Sequence, residues 1–201
     1  MTLAAAALLP LLAAAPRAQA PDLVDVARLV PDATVELRYA TPRNVVGRPM
    51  YPAGARCLLL RPVAERLARA AARVRAEGFT LRLWDCYRPS SVQRELWRAQ
   101  PTPGLVADPR TGSNHERGAA VDVALAGPGG ADVELPTDFD AFGPRARAGA
   151  RDGVSPAARR HRDLLRAALV AEGFRPIRLE WWHFEAPEAR GAPRLEAALA
   201  P

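Results

Sequence analysis

The spacing of apolar residues predicts three helices along the chain. Over residues 62–77 they recur every three or four positions, which places them on one helical face, and Gly78 would end this helix. Residues 90–99 would form a second helix, since the segment opens with Ser-Ser-Val-Gln, which resembles a capping box. A third helix is predicted over residues 155–172, because Ser-Pro is a favourable start and Gly173 follows its end.

Short apolar and alternating segments between these helices predict strands. They cover residues 35–39, 80–86, 121–125 and 178–185. The last three alternate with the helices along the chain, and the sequence contains neither a Gly-rich phosphate loop nor an internal repeat. This order favours a single α+β domain in which the helices pack on a small, largely antiparallel sheet.

Two long segments are rich in Gly and Pro and are predicted to be irregular. They cover residues 100–112 and 126–154. Phe139 and Phe142 lie in the second segment, and we expect them to anchor it to the core.

The basic balance of the chain does not indicate a nucleic-acid partner. The 201 residues, enough for one domain with a sizeable core, carry a formal net charge of +6, and all 28 basic residues are arginine. The arginines are scattered, often beside Glu or Asp, as on a solvated face. No basic run is interleaved with aromatic residues as single-strand binders require, so we expect no nucleic-acid partner.

Residues 1–20 predict export. Residues 3–15 are apolar and uncharged, and Ala-Gln-Ala at residues 18–20 gives a small-x-small cleavage signal, as in a secretory signal peptide. The apolar run is shorter than the about 20 residues that a membrane span needs. We therefore expect cleavage, no stable membrane insertion afterwards, a periplasmic location and a mature domain of residues 21–201. A disordered Ala-rich tail is the alternative interpretation.

Cys57 and Cys86 are the two cysteines of the chain. In an exported protein an even pair favours a disulfide, and two buried thiols are the alternative. Neither their spacing nor their neighbours indicate that they bind a metal.

Two of the three histidines lie in short segments that also carry a carboxylate. His115 and Asp122 belong to Ser-Asn-His-Glu-Arg-Gly-Ala-Ala-Val-Asp at residues 113–122, and His183 follows Glu180 in Glu-Trp-Trp-His. Two imidazoles and one carboxylate form a three-ligand site with an open position for water, which is typical of catalytic zinc. The remaining carboxylate would act as a general base, so the pattern indicates a hydrolase.

The spacing of the first segment requires a turn. His115 and Asp122 are seven residues apart, and on one regular strand they would face opposite sides. We therefore expect His115 in a loop, a turn at Gly118, and Asp122 on the following strand. Asp122 is flanked by two valines, where an unpaired carboxylate is costly and a metal ion would remove that cost.

The second segment also requires a bend. Glu180 and His183 are three residues apart, so a bulge or bend is expected near Trp181 and Trp182. These tryptophans and Phe184 would form a partly dry wall, which raises the pKa of a neighbouring carboxylate and suits a base. The third histidine, His161, lies on the third predicted helix between two arginines and is expected to be a solvated or core-edge residue.

These motifs, taken together, resemble a known family. The chain contains Leu-Arg-Tyr-Ala-Thr at residues 37–41, Trp-Asp-x-Tyr-Arg-Pro at 84–89, Ser-x-His-x-Arg-Gly at 113–118 and Glu-Trp-Trp-His at 180–183. In this order they resemble the zinc D,D-peptidases that share a fold with the Hedgehog amino-terminal domain. Among these, the chain is most similar to the D-alanyl-D-alanine dipeptidases associated with vancomycin resistance. The resemblance implies that fold and the hydrolysis of D-Ala-D-Ala to two D-alanines.

The resemblance also implies roles for individual residues. Glu180 would be the general base, Arg88 would stabilise the oxyanion, and Asp85 would orient the Arg88 guanidinium by a paired hydrogen bond. One zinc ion per chain would be held by three ligands: His115, Asp122 and His183.

Specificity would come from residues that hold the free ammonium of the dipeptide. The resemblance implies Tyr39, Ser113 and Asp140 for this role. Shortly before Asp140 the family usually has Met-Gly, whereas this chain has Leu135-Pro136. The resemblance therefore does not extend to the conformation of this loop.

Two other functions stay open at the level of the sequence. A D,D-carboxypeptidase for longer peptidoglycan peptides would use the same zinc chemistry in a more open groove. A zinc-stabilised binding module on the same scaffold would need neither Glu180 nor Arg88. Cobalt or iron would also suit these ligands, and the sequence gives no oligomeric state.

Overall fold

The computed structural model describes residues 22–200. The predicted signal peptide at residues 1–20 lies outside the described residues. The helices within residues 22–200 are α1 (Arg61–Ala76), α2 (Ser90–Ala99) and α3 (Pro156–Ala171). The strands in the same range are β1 (Leu23–Asp25), β2 (Thr34–Val35), β3 (Leu58–Leu60), β4 (Thr80–Asp85), β5 (Ala120–Ala126), β6 (Arg175–Pro176) and β7 (His183–Glu185). No helix in this part of the chain is long and apolar enough to span a membrane.

The strands form two sheets. The larger sheet has the order β2-β4-β5-β7-β6, in which β2 pairs with β4 in parallel and the other neighbours are antiparallel. Strands β1 and β3 form a separate antiparallel pair. The expected α+β domain with a small, largely antiparallel sheet is therefore confirmed.

The central strand β5 is buried along its whole length. The expected alternation puts Asp122 on one face and Val121 and Val123 on the other, and both faces are covered. Helices α1 and α3 pack on each other and contact β4 and β5 respectively. Asp122, one of the predicted metal ligands, therefore lies on a fully buried strand at the centre of the sheet.

Two of the predicted helices have the expected ends. Ser155 is the N-cap of α3, and its side chain accepts a hydrogen bond from Ala158 N at 3.1 Å. Gly173 and Gly78 follow α3 and α1 with φ of 89° and 82°, the left-handed conformation that glycine adopts without strain.

The capping box predicted for α2 is absent from the structure. Pro89 occupies the N-cap position, and Ser90 is the first helical residue. The Ser90 hydroxyl instead donates to Glu116 Oε1 at 2.6 Å, and Gln93 turns its side chain away from the helix start. This prediction was wrong because both side chains have tertiary partners.

Two predicted strands are shorter than expected. Of the first, predicted over residues 35–39, only Val35 belongs to a strand, because residues 38–40 form a 3-10 turn that buries both Arg38 and Tyr39. The last strand begins only at His183, since the chain turns at residues 181–182.

Three tryptophans and two phenylalanines pack together as an aromatic cluster. Trp84, Trp181 and Trp182 are buried, with ring centroids 5.6–6.5 Å apart. Phe139 packs on Trp84 at 5.7 Å, and Phe142 on Trp182 at 6.2 Å. The expectation that these two phenylalanines anchor the long loop is confirmed.

A disulfide joins Cys57 and Cys86. It connects the residue before β3 with the residue after β4. Nearby, Tyr87 N donates to Leu58 O at 2.8 Å, so the segment that leads to Arg88 is held by both a covalent bond and a hydrogen bond.

Candidate active site

Three carboxylate and imidazole residues form a row across the sheet. In β5 and β7, Asp122 pairs with His183, and on the other side Asp122 pairs with Asp85 of β4. The last pairing depends on a bulge, since β4 advances two residues from Leu83 while β5 advances one from Val123. Without this bulge, alternation would place Asp85 on the opposite face of the sheet.

His115 approaches this row from a 3-10 turn over residues 115–117. Gly118 ends the turn with φ of 62°, as expected, and the chain enters β5. A Cβ atom on Gly118 would lie 2.8 Å from Leu23 Cδ2, so both the backbone conformation and the packing favour glycine.

The side chains of His115, Asp122 and His183 converge at one point. His183 Nδ1 lies 2.9 Å from Asp122 Oδ1 and 3.1 Å from His115 Nε2, and His115 Nε2 lies 3.3 Å from Asp122 Oδ2. All three residues are buried, and one ligand atom from each lies within 4.8 Å of the others. The structure therefore brings the three predicted metal ligands together.

The outer nitrogens of the two imidazoles have partners that orient the rings. His115 Nδ1 lies 2.7 Å from Cys86 O, and His183 Nε2 lies 3.7 Å from Glu185 Oε1. A proton on each of these nitrogens leaves His115 Nε2 and His183 Nδ1 with free lone pairs towards Asp122.

The electrostatics of the three residues suit a bound cation. Burial alone would raise the pKa of Asp122, but the two imidazoles hold it well below its usual range. Burial lowers the pKa of His183, but the hydrogen bond to Asp122 and the nearby Glu185 carboxylate outweigh this and raise it to about 10. The negative charge of the carboxylates thus favours a proton on His183, between the three ligand atoms. A divalent metal ion with nitrogen and oxygen ligands suits the same position.

Glu180 lies beside this cluster. Its Oε2 is 4.0 Å from His183 Nδ1, and burial raises the pKa of Glu180 to about 8. Trp181 N donates to Ala146 O at 2.8 Å, and Val123 N donates to Trp182 O at 3.0 Å, so the turn between Glu180 and His183 is fixed on both sides. The bend expected at the two tryptophans is confirmed.

Arg88 is buried, with only 7% of its surface accessible to solvent. A residue just before a helix is more commonly exposed. Its Nε and Nη2 lie 2.9 and 2.7 Å from Asp85 Oδ2, the arrangement expected for these two residues. The other Asp85 oxygen accepts from the Tyr51 hydroxyl at 2.5 Å. The guanidinium carbon lies 4.9 Å from the centre of the Tyr39 ring, and Nη2 lies 3.7 Å from Asp122 Oδ2.

Asp140 lines a cavity beside Arg88 and the three predicted metal ligands, despite the altered residues before it. Its backbone has a φ of 54°, and its Oδ2 accepts from Val45 N at 3.1 Å. Two nearby contacts fix the loop: Arg38 Nη2 donates to Asp138 Oδ1 at 2.5 Å, and Trp181 Nε1 donates to Thr137 Oγ1 at 2.9 Å. Burial raises the pKa of Asp140 to about 7.

Tyr39 and Ser113 also line this cavity, which has a volume of 220 Å³. Burial raises the pKa of Tyr39 well above its usual value, so its hydroxyl stays protonated and can donate. Ser113 Oγ accepts from His115 N at 3.2 Å, and Ser113 N donates to Glu116 Oε2 at 2.6 Å. Residues 104–107 form another wall of the cavity.

His161 lies outside this cavity. Its Nδ1 is 2.8 Å from Glu134 O, and its ring packs on Phe79 at a centroid distance of 5.2 Å. It is half-buried at the edge of the core, as expected.

Sequence reasoning missed four residues that support the site: Tyr51, Gln93, Glu116 and Glu185. Tyr51 donates to Asp85, 34 residues away, and Glu116 accepts from Ser90, 26 residues away, and no local pattern indicates these two contacts. Glu185 lies two residues after His183 on the same strand, and this spacing places both on one face. That spacing was the one available signal.

Comparisons with known proteins identify the family of the chain. A family model described as D-ala-D-ala dipeptidase matches residues 19–197. The D-alanyl-D-alanine dipeptidase of Escherichia coli (strain K12) is 40% identical over 174 residues, which cover 87% of this chain and 89% of the relative. The D-alanyl-D-alanine dipeptidase of Enterococcus faecalis (strain V583) is 32% identical, over 75% of this chain and 84% of the relative. That of Streptomyces coelicolor is 33% identical, over 83% of this chain and 92% of the relative.

Proposed function

The chain belongs to the D-Ala-D-Ala dipeptidase family, and we propose that it hydrolyses the free dipeptide D-Ala-D-Ala to two molecules of D-alanine. One observation carries this proposal. A candidate metal triad, a buried carboxylate with a raised pKa and a buried arginine line one small cavity that also contains Asp140. The first three groups suit hydrolysis of a peptide bond, and Asp140 suits a substrate with a free amine.

Zinc is the metal that this donor set suits best. His115 through Nε2, His183 through Nδ1 and the Asp122 carboxylate would hold one zinc ion per chain. When bound, the ion would lower the pKa of a coordinated water towards about 7 and polarise the scissile carbonyl.

Glu180 would move the proton. Its carboxylate would accept a proton from the attacking water as the new C–O bond forms. It would then deliver this proton to the nitrogen of the leaving D-alanine, and the peptide C–N bond would break. The dry surroundings created by Trp181 and Trp182 support this role, because burial raises the pKa of Glu180 to about 8 and brings it close to neutral pH.

Arg88 would stabilise the negative charge that develops on the carbonyl oxygen. Asp85 holds one edge of the guanidinium, and the nearby ring of Tyr39 supports its face. An arginine fixed in advance in a water-poor site stabilises such charge without reorganisation during the reaction.

Asp140, Tyr39 and Ser113 would bind the amino end of the dipeptide. An ammonium beside the Asp140 carboxylate compensates for its burial, which otherwise raises its pKa. A peptide whose amine is blocked would leave this carboxylate without a cationic partner, which accounts for a preference for the free dipeptide over longer peptides.

We also propose that the protein is exported to the periplasm. The apolar segment with its cleavage signal at residues 1–20 supports this location, and so does the Cys57–Cys86 disulfide, because disulfides persist mainly in oxidising compartments.

The proposed activity is tested by D-alanine release from D-Ala-D-Ala. The purified protein is assayed with zinc, after chelation, and after zinc is restored, beside Glu180→Gln as a variant that keeps the size of the side chain. We expect release that chelation abolishes and zinc restores, and a rate at least about 10²-fold lower for Glu180→Gln. A zinc-loaded protein that releases no D-alanine, or a fully active Glu180→Gln variant, would refute the proposal.

A further inference from the structure

Gln93 is a buried polar residue next to the catalytic candidates that none of the steps above uses. It lies in the first turn of α2, and none of its surface is accessible to solvent. Burying an amide is costly unless both of its ends find hydrogen-bond partners. The partners of Gln93 therefore indicate why the fold keeps it there.

Both ends of the Gln93 amide have a partner in the cavity region. Its Oε1 accepts from Arg88 Nη1 at 2.8 Å, and its Nε2 donates to Ala107 O at 2.7 Å. Arg88 offers only donors and a backbone carbonyl offers only an acceptor, so this orientation of the amide is the one that satisfies both. A single side chain thus connects the proposed oxyanion-stabilising arginine with the cavity wall.

The donors of Arg88 show what Gln93 contributes. A guanidinium has five N–H groups. Asp85 takes one from Nε and one from Nη2, both on the single oxygen Oδ2, and Gln93 takes one from Nη1. One N–H on Nη1 and one on Nη2 remain without a hydrogen bond among the described residues, although Asp122 Oδ2 lies 3.7 Å from Nη2. These two groups are available to a carbonyl oxygen of the substrate.

The contact with Asp85 alone leaves the guanidinium plane less defined. Because both of its hydrogen bonds end on one oxygen atom, the plane can tilt about that point. The bond to Gln93 fixes the opposite end of the guanidinium and thereby sets the direction of the two remaining N–H groups. Small errors in such directions reduce transition-state stabilisation strongly.

The wall at residues 104–107 is held by the same side chain as well as by the packing of the buried Val106. Leu105 N and Val106 N donate to Thr102 O within this loop, so these bonds do not connect the wall to the rest of the domain. The bond from Gln93 to Ala107 O ties the wall to helix α2. The position of the wall and the orientation of Arg88 are therefore linked through one amide.

We infer that Gln93 is a positioning residue for peptide hydrolysis. It orients the free N–H groups of Arg88 towards the scissile carbonyl and holds the wall at residues 104–107 in a fixed position relative to them. This inference rests on the proposed dipeptidase activity. It concerns the orientation of Arg88, so it predicts an effect on kcat that disappears when Arg88 is absent.

The test is a double-mutant cycle measured with D-Ala-D-Ala. The variants are Gln93→Leu, Arg88→Ala and both together, with Gln100→Leu as a control glutamine at the opposite end of α2. Gln100 Nε2 donates to Thr102 Oγ1 at 3.0 Å, so this control disturbs the loop but not Arg88. We expect Gln93→Leu to lower kcat by about 10- to 100-fold in the presence of Arg88 and by less than about threefold in its absence. Gln100→Leu should keep kcat within about threefold of the unmodified protein.

A second variant guards against misfolding. Gln93→Asn keeps an amide at the buried position but is one methylene too short to span Arg88 and Ala107, and it should show the same loss of kcat as Gln93→Leu. The melting temperature and zinc content identify any variant that does not fold.

Three results would overturn the inference. They are an unchanged kcat in Gln93→Leu, an equal loss with and without Arg88, and an equal loss in Gln100→Leu. An unmodified protein without activity on the dipeptide would instead refute the proposed function, and the inference with it.

Discussion

The cavity has two sides that are built in different ways. On one side, Asp85, Asp122 and His183 stand opposite one another on three neighbouring strands, and strand register fixes their separations. On the other side, Tyr39, Asp140 and the wall at residues 104–107 lie outside the strands and long helices. Individual side chains such as Arg38 and Gln93 hold these segments.

This difference assigns different tasks to the two sides. A sheet keeps side chains within a narrow range of positions, as metal coordination requires. Loops held by single contacts can change from one sequence to another without loss of the fold, which suits the recognition of different substrates. Changes on the sheet side should therefore abolish the chemistry, and changes on the loop side should alter the choice of substrate.

The largest effect is expected for Asp122→Asn on the sheet side. The substitution removes the charge that holds His183 and a metal ion, so zinc affinity should fall by more than about 100-fold and D-alanine release should cease. Affinity is measured by competition with a chelator. Asp132→Asn is the control, because Asp132 is exposed and pairs with Arg82 at the surface. Unchanged zinc affinity in Asp122→Asn would show that the triad is not the metal site.

A smaller effect is expected for Arg88→Ala. The loss of a fixed cation near the developing oxyanion should lower kcat by about 10²-fold or more, while zinc affinity stays within a few-fold of its original value. Steady-state kinetics and the chelator titration measure the two quantities on one preparation. Arg110→Ala is the control, since Arg110 is exposed and contacts only Asp108 among the ion pairs of the described residues. A loss of zinc binding that matches the loss of rate would assign Arg88 to the metal site instead.

On the loop side, Asp140→Asn should impair recognition of the free amine. The loss of one charged hydrogen bond should lower kcat/KM for D-Ala-D-Ala by about tenfold, and the value for the amino-acetylated peptide should stay the same. Burial raises the pKa of Asp140 to about 7, so the carboxyl is mostly neutral below that pH and then resembles asparagine. The loss of kcat/KM should therefore be greater at pH 8 than at pH 6. A loss that is equal at both values, or greater at pH 6, would contradict this role.

The smallest effect on catalysis is expected when the disulfide is removed by Cys57→Ala with Cys86→Ala. The bond closes a loop with a sequence separation of 29 residues, and its loss should reduce the free energy of unfolding by about 3–4 kcal/mol. The melting temperature should fall by about 10 °C, which calorimetry measures. The sheet and the hydrogen bond from Tyr87 N to Leu58 O still hold the segment, so kcat should stay within about threefold. A large loss of kcat at a temperature where the variant is folded would show that the disulfide also positions the site.

The sheet side was also the side that the sequence predicted well. Gly118 between His115 and Asp122, and the three-residue spacing of Glu180 and His183, each required a turn, and both turns are present. These are local signals, since the residues involved are close in the chain. The bulge that brings Asp85 opposite Asp122 has no such signal, because it depends on pairing between two strands that are far apart in sequence.

The loop side was predicted less well for the same physical reason. Asp140 reaches the cavity through contacts of its loop with Arg38 and Trp181, which are about 40 to 100 residues away in the chain. Gln93 matched a local capping pattern, but tertiary partners determine its conformation. The failed capping box at Ser90 and Gln93 thus pointed to the region where the polar side chains are used for the site.

The most direct test of this account is the ratio of kcat/KM for D-Ala-D-Ala to that for its amino-acetylated form, measured with zinc-loaded protein. If the sheet side carries out hydrolysis and the loop side recognises the free amine, this ratio should be at least about 100. Such a ratio is expected when a buried carboxylate loses its ammonium partner. A ratio near or below one would contradict the account, because the same metal chemistry would then serve a D,D-carboxypeptidase with an open groove.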